Sequence, residues 1–113
     1  MAYDEGLAER IRGILTDEPA VAEKRMFGGL AFLLRGNMCV GVVKDELMVR
    51  VGPQRYEELL RQPHARRMDF TGRPMKGMVT VLADHVSSEE DVADWVERAV
   101  TFVETLPAKE AVP

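Results

Sequence analysis

A chain of 113 residues, 46% of them apolar and 30% charged, with a net charge of −4, supports one domain with its own core. Its apolar runs fall far short of the ~20 residues a bilayer span requires, and its acidic balance disfavours non-specific binding to nucleic acid. The single cysteine, Cys39, permits no intrachain disulfide, and the acidic N-terminus has no apolar signal region, so a cytoplasmic location is expected.

In chain order, the spacing of Leu7, Ile11 and Ile14/Leu15 predicts a helix over about 4–15, ended by Thr16-Asp17-Glu18-Pro19. A first strand is expected over Met26–Arg35, where Leu30, Phe32 and Leu34 alternate with Ala31 and Leu33. Gly36-Asn37 supplies the positive φ angles of a tight hairpin. Strands over Met38–Val43 and Leu47–Val51 follow, joined by Lys44-Asp45-Glu46. Such short links force antiparallel neighbours, because parallel pairing needs a long crossover.

Gly52-Pro53 opens a short helix with an apolar face of Tyr56, Leu59 and Leu60, stopped by Pro63. A fourth strand is read over Arg66–Phe70, a Gly/Pro loop over Thr71–Gly77 and a fifth strand over Met78–Ala83. Ser87 and Glu90 form a capping box for a last helix. Its apolar stripe is Val92, Trp95, Val96, Ala99, Val103 and Leu106, and Pro107 closes it. The order α-β-β-β-α-β-β-α implies an α+β domain over 1–106, mostly antiparallel with helices packed on the sheet, and a frayed tail over 107–113.

Little in this inventory carries chemistry. Gly28-Gly29 has neither the Lys-Ser/Thr nor the following helix of a phosphate loop, and reads as a strand start where backbones approach closely. His64 and His85 have no metal-ligand spacing with each other or with Cys39, so no metal site is expected. Cys39, in a strand, reads as a buried and inert thiol. No nucleophile–base pair or carboxylate dyad is defensible, so no catalytic residue is assigned.

The charges are segregated. Arg61, Arg66, Arg67, Arg73 and Lys76 face only Asp69 over 61–76, whereas all charges from Asp84 to Glu97 are acidic. The basic run is either a solvated ion cluster or a site for a phosphate, a carboxylate or an acidic partner, for which the planar guanidinium is suited. Arg25, Arg66, Arg67, Asp69, Arg73 and Lys76 are the candidate partner- or anion-binding residues. The second face of the first three expected strands is also apolar, and Leu33, Val43 and Met48 are its candidate interface residues. Such a face needs a cover, supplied by the terminal helix or by a partner such as another copy.

The element order, Arg25-Met26-Phe27-Gly28-Gly29, the Gly36 turn and Leu47-Met48-Val49-Arg50-Val51 together resemble the TfoX N-terminal domain family, TfoX/Sxy-like, over about residues 4–106. The segment 63–77 looks like that of short single-domain members. The resemblance implies a two-layer α/β fold with an antiparallel five-stranded sheet, similar to type III secretion chaperones. It also implies a non-enzymatic role without cofactors. The family's competence regulators carry a further C-terminal domain, which this chain, ending at Pro113, is expected to lack. The expected function is a regulatory protein-interaction domain that binds itself, as a homodimer, or another protein, with no membrane role. The alternatives are a nucleic-acid-binding module using the basic run, or a small-anion sensor.

Overall fold

The computed structural model describes residues 3–18, 20–26, 28–67, 77–86 and 88–108. The expected strand beyond Arg67, most of the following loop, Ser87 and the tail from 109 lie outside them.

Helix α1 is Glu5–Ile14; Asp4 caps it by accepting the Leu7 N–H at 3.0 Å. That bond satisfies one of the donors a helix start leaves unpaired. Its buried residues, Leu7, Ala8 and Ile11, fall three to four apart on one face. Strands β1 (Val21–Met26), β2 (Gly29–Leu34), β3 (Asn37–Val43) and β4 (Glu46–Arg50) form a meander. Then come helix α2 (Tyr56–Leu60), β5 (Ala65–Arg67), β6 (Met78–Leu82), a 3-10 turn at Ala83–His85 and helix α3 (Glu89–Val103). Ser88 caps α3, its hydroxyl accepting the Asp91 N–H at 3.0 Å, one residue later than the expected capping box.

All neighbouring strands are antiparallel, in the order β1-β2-β3-β4-β6-β5. The sheet therefore has six strands, not five. The additional one is β1, which the polar stretch Ala22–Arg25 conceals from any apolar alternation. Met26 pairs with Gly29 across a two-residue connection, and Gly28 has a φ of 74° there, so the chain reverses where a single strand was expected to begin. Gly29 meets β3 so closely that a Cβ would lie 2.1 Å from the Val42 carbonyl oxygen. The expected close approach at the glycine pair is thus located, and it sits on Gly29. The next hairpin turns at Arg35-Gly36 (φ 52° and 84°), one residue earlier than expected.

Helices α1 and α3 pack against each other, α3 also against β3 and β4 and α1 against β3, while α2 packs on β5 and β6. One core unites the helices with Leu30, Phe32, Leu34, Val40, Val42, Leu47, Val49, Val79 and Val81. Each fully buried aliphatic side chain there contributes roughly 1.5–3 kcal/mol. Across the sheet lies a smaller cluster of Val43, Met48 and Met78, with Met38 packed against it. Strict alternation along β3 would put Met38 on the main-core face with Val40 and Val42 and Cys39 on the second, and a β-bulge reverses this. Phe32 pairs with Val40 and Leu33 with Met38, leaving Cys39 as the extra residue. One inserted residue exchanges the faces of whatever precedes it. Cys39 joins the main core and Met38 the second face.

Candidate functional site

The candidate apolar interface is largely interior to the single chain. Met48 is 0% exposed and Val43 5%, and Leu33 is half-buried. The terminal helix does not provide their cover, because α3 lies on the opposite face with α1. Of the three, only Leu33 is open to a partner.

The candidate basic residues are dispersed. Arg25 lies on β1 and Arg66 and Arg67 on β5, the two outer strands of the sheet. Five strand spacings separate them, about 24 Å at ~4.8 Å each. Arg66 and Arg67 are consecutive in a strand, so their side chains leave on opposite faces. Arg66 donates to Glu46 at 2.8 Å, and both of the β5 arginines are exposed. Asp69, Arg73 and Lys76 lie outside the described residues.

The sheet edge at β1 is the most distinctive open feature. Ala22, Glu23, Lys24 and Arg25 are all exposed, whereas their neighbours on β2 are buried apart from Leu33. The Arg35 N–H donates to the Ala20 carbonyl at 3.0 Å. Antiparallel ladders alternate, so this bond sets the phase of the whole pair. Ala22 and Lys24 point their main-chain groups at β2, and Val21, Glu23 and Arg25 point theirs away from the sheet. The edge thus offers three consecutive sets of outward N–H and C=O groups, the template on which another strand adds.

Charge on this edge is set by α1. Arg12 holds Glu23 in a two-pronged pair at 2.6 and 2.7 Å and also binds Glu9. The hydrogen bond from Arg12 holds the Glu23 carboxyl below its usual range, and the same pair raises the Arg12 guanidinium. Lys24 and Arg25 have no ion pair among the described residues. Because the Glu23 carboxyl titrates lower in the fold, the stability contributed by the Arg12 tie is fully present above the ordinary carboxylate range and is lost as pH falls from there through the lowered folded-state value.

The structure also joins two residues whose sequence spacing gives no hint of it. His64, in the left-handed region at φ 70°, stacks on His85 with ring centroids 3.8 Å apart and planes 8° from parallel. They share a cleft of about 210 Å³ with Asp91, Asp94, Trp95 and Arg98. Ring nitrogens donate and accept in the ring plane, so parallel stacked rings do not converge on one ion. Among the described residues no group of three His, Cys, Asp or Glu is placed to hold a metal.

Cys39 is buried, and burial, aided by the charge of Glu18, pushes its thiol from 9.0 up to about 12. Thiolate is the reactive form, so native protein at neutral pH should not react with a disulfide reagent such as DTNB, and denatured protein should release one equivalent. The raised value also has a consequence for stability. The unfolded thiol ionises first as pH rises, so folding stability should fall above about pH 9. Rapid reaction of folded protein would contradict the burial of Cys39.

The family model of the TfoX N-terminal domain matches residues 14–103. No curated protein and no solved structure matches the chain.

Proposed function

This chain belongs to the TfoX N-terminal domain family, and from that premise we propose that it is a non-enzymatic regulatory domain that acts by binding protein, with a second copy of itself as partner. The observation that carries this reading is the open β1 edge. Strand addition there uses main-chain hydrogen bonds for affinity and side chains for register. A two-fold pairing centred on Lys24 places Glu23 opposite Arg25 of the other copy twice, at positions where both strands direct their hydrogen-bonding groups outward. Opposite charges directly across strands contribute roughly 0.2–1 kcal/mol each. The paired Lys24 side chains oppose this, and their repulsion makes the association weak and salt-dependent.

Arg25→Pro is the informative variant. It removes an outward N–H that β2 does not use, and proline is tolerated on an edge strand in that position. The wild-type chain should sediment as a concentration-dependent dimer, and Arg25→Pro should remain monomeric with an unchanged circular dichroism spectrum. A wild type that stays monomeric at every concentration, or a dimer indifferent to Arg25→Pro, defeats the proposal. Salt-sensitive binding of duplex DNA that Arg67→Ala weakens would replace it with the nucleic-acid reading.

A further inference from the structure

A second open feature lies far along the chain from β1. Between the β4–α2 connection and the C-terminal half of α3 is a cleft of about 330 Å³. Val51, Pro53 and Phe102 form its apolar lining, and Arg55 and Arg98 also line it. The volume falls at the small end of the range for ligand sites.

The cleft is shaped by backbone. Gly52 has a φ of 84°, and a Cβ on it would lie 2.4 Å from the Phe102 ring. The Val51 and Gly52 N–H groups both donate to the Gly77 carbonyl, at 2.9 and 3.2 Å. Only glycine lets the ring lie against this turn, so the apolar wall is preformed. The Arg50 guanidinium stands 5.6 Å from the Phe102 centroid.

The charge is equally particular for a chain of net −4. Arg98 is half-buried, with its guanidinium 4.5 Å from the Trp95 centroid. Stacking on an aromatic face fixes the planar fork and leaves its edge donors available. Asp94 and Glu97 line an adjoining cleft with Arg55 and Arg98. Neither forms an ion pair with Arg98, which has none among the described residues. Arg55 is held by Glu58 at 3.0 Å. The Glu58 carboxyl is lowered first by that bond and then also by the fields of Arg98 and Arg61.

The geometry points to a binding site for a small organic monocarboxylate with an apolar body, whose ring or chain packs on Phe102 and Pro53 while its carboxylate meets Arg98. Arg98 is the specificity-determining residue, because among the described residues lining the cleft it alone combines a guanidinium without an ion pair and a fixed orientation. A cationic analogue is repelled, and a neutral one loses the charge-assisted hydrogen bond. This site is independent of the β1 edge.

Phenylacetate, titrated into the ¹⁵N-labelled chain, tests it. The amides of Gly52, Arg55, Thr101, Phe102 and Thr105 should shift saturably, and phenethylamine should leave them in place. Arg98→Gln should weaken binding by about tenfold, the size of one charge-assisted hydrogen bond. Thr101→Phe, a change at an exposed position, should fill the cleft and abolish the shifts with the fold intact. Absent or non-saturating shifts, shifts mapping elsewhere, or equal binding in both variants would overturn the assignment.

Discussion

Met48→Asp is expected to unfold the domain, not to separate a dimer. Met48 is 0% exposed in the single chain, in a cluster with Val43 and Met78. Its methyl carbon reaches Gly41 so closely that a Cβ there would lie 2.4 Å away. An aspartate at this position loses the contacts of the thioether. It also places a carboxylate among apolar groups, where an uncompensated charge is expensive and protonation only partly relieves it. Such changes belong to the exceptional class above about 4 kcal/mol. A domain with about 5–15 kcal/mol in total has little margin for that. Urea denaturation should find the Met48→Asp chain wholly or mostly unfolded in buffer. Met48→Leu, which nearly conserves volume, should lose less than about 1.5 kcal/mol. At Leu33, half-buried on the same face, aspartate should be tolerated better, and the contrast separates burial from interface. A folded Met48→Asp chain would mean that this cluster is not closed within the monomer.

Gly29→Ala should cost roughly 3 kcal/mol or more, beyond the usual range for an overpacked core, because backbone has to move. The added Cβ would stand 2.1 Å from the Val42 carbonyl oxygen and 2.8 Å from a Val43 methyl. The methyl can rotate away, but the carbonyl belongs to Val42 of β3, which pairs with Leu30 at the start of the β2–β3 ladder. Relief requires β2 and β3 to separate at the start of their ladder. At Gly28 the nearest obstacle is more than 4 Å away, so Gly28→Ala meets no clash, only the penalty of a positive φ, about 1 kcal/mol. Chemical denaturation of the two variants should rank them Gly29→Ala far below Gly28→Ala. The reverse order would place the close approach on the wrong glycine.

Much of the fold is legible in the chain itself. Leu7 and Ile11, one helical turn apart, announce α1. Val92, Trp95, Val96, Ala99 and Val103 announce α3, and all are buried where the periodicity puts them. Leu30, Phe32 and Leu34 alternate into the core as expected of β2. Strand β1 is not expected from the sequence, because its larger apolar residues, Val21 and Met26, stand only at its two ends and make no alternation. Ala22–Arg25 faces water on both sides, and an edge strand is held by its neighbour's backbone, not by a side-chain pattern. The turn at Arg35-Gly36 fell one residue from its expected place because Arg35 itself accepts a positive φ.

The candidate sites were less legible, since they depend on which elements become neighbours. Arg25, Arg66 and Arg67 look like one basic inventory in the sequence, and the strand order sends them to opposite edges. His64 and His85 lie 21 positions apart with no motif between them, and they meet because β5 pairs with β6, Ala65 opposite Val81, which brings the residue before one strand beside the turn after the other. Arg98 was one charge among many on a helix until Trp95 fixed its direction and Phe102 gave it an apolar neighbour.

Periodicity along the chain determined what each segment is, because burying one face of a helix or strand needs only local spacing of apolar residues. Tertiary structure alone decided the β-bulge at Cys39, the burial of Met48, the open edge at β1 and the cleft beside Phe102. Each of these depends on register and on approaches between distant backbones, and a shift of one residue in either exchanges the buried face for the exposed one.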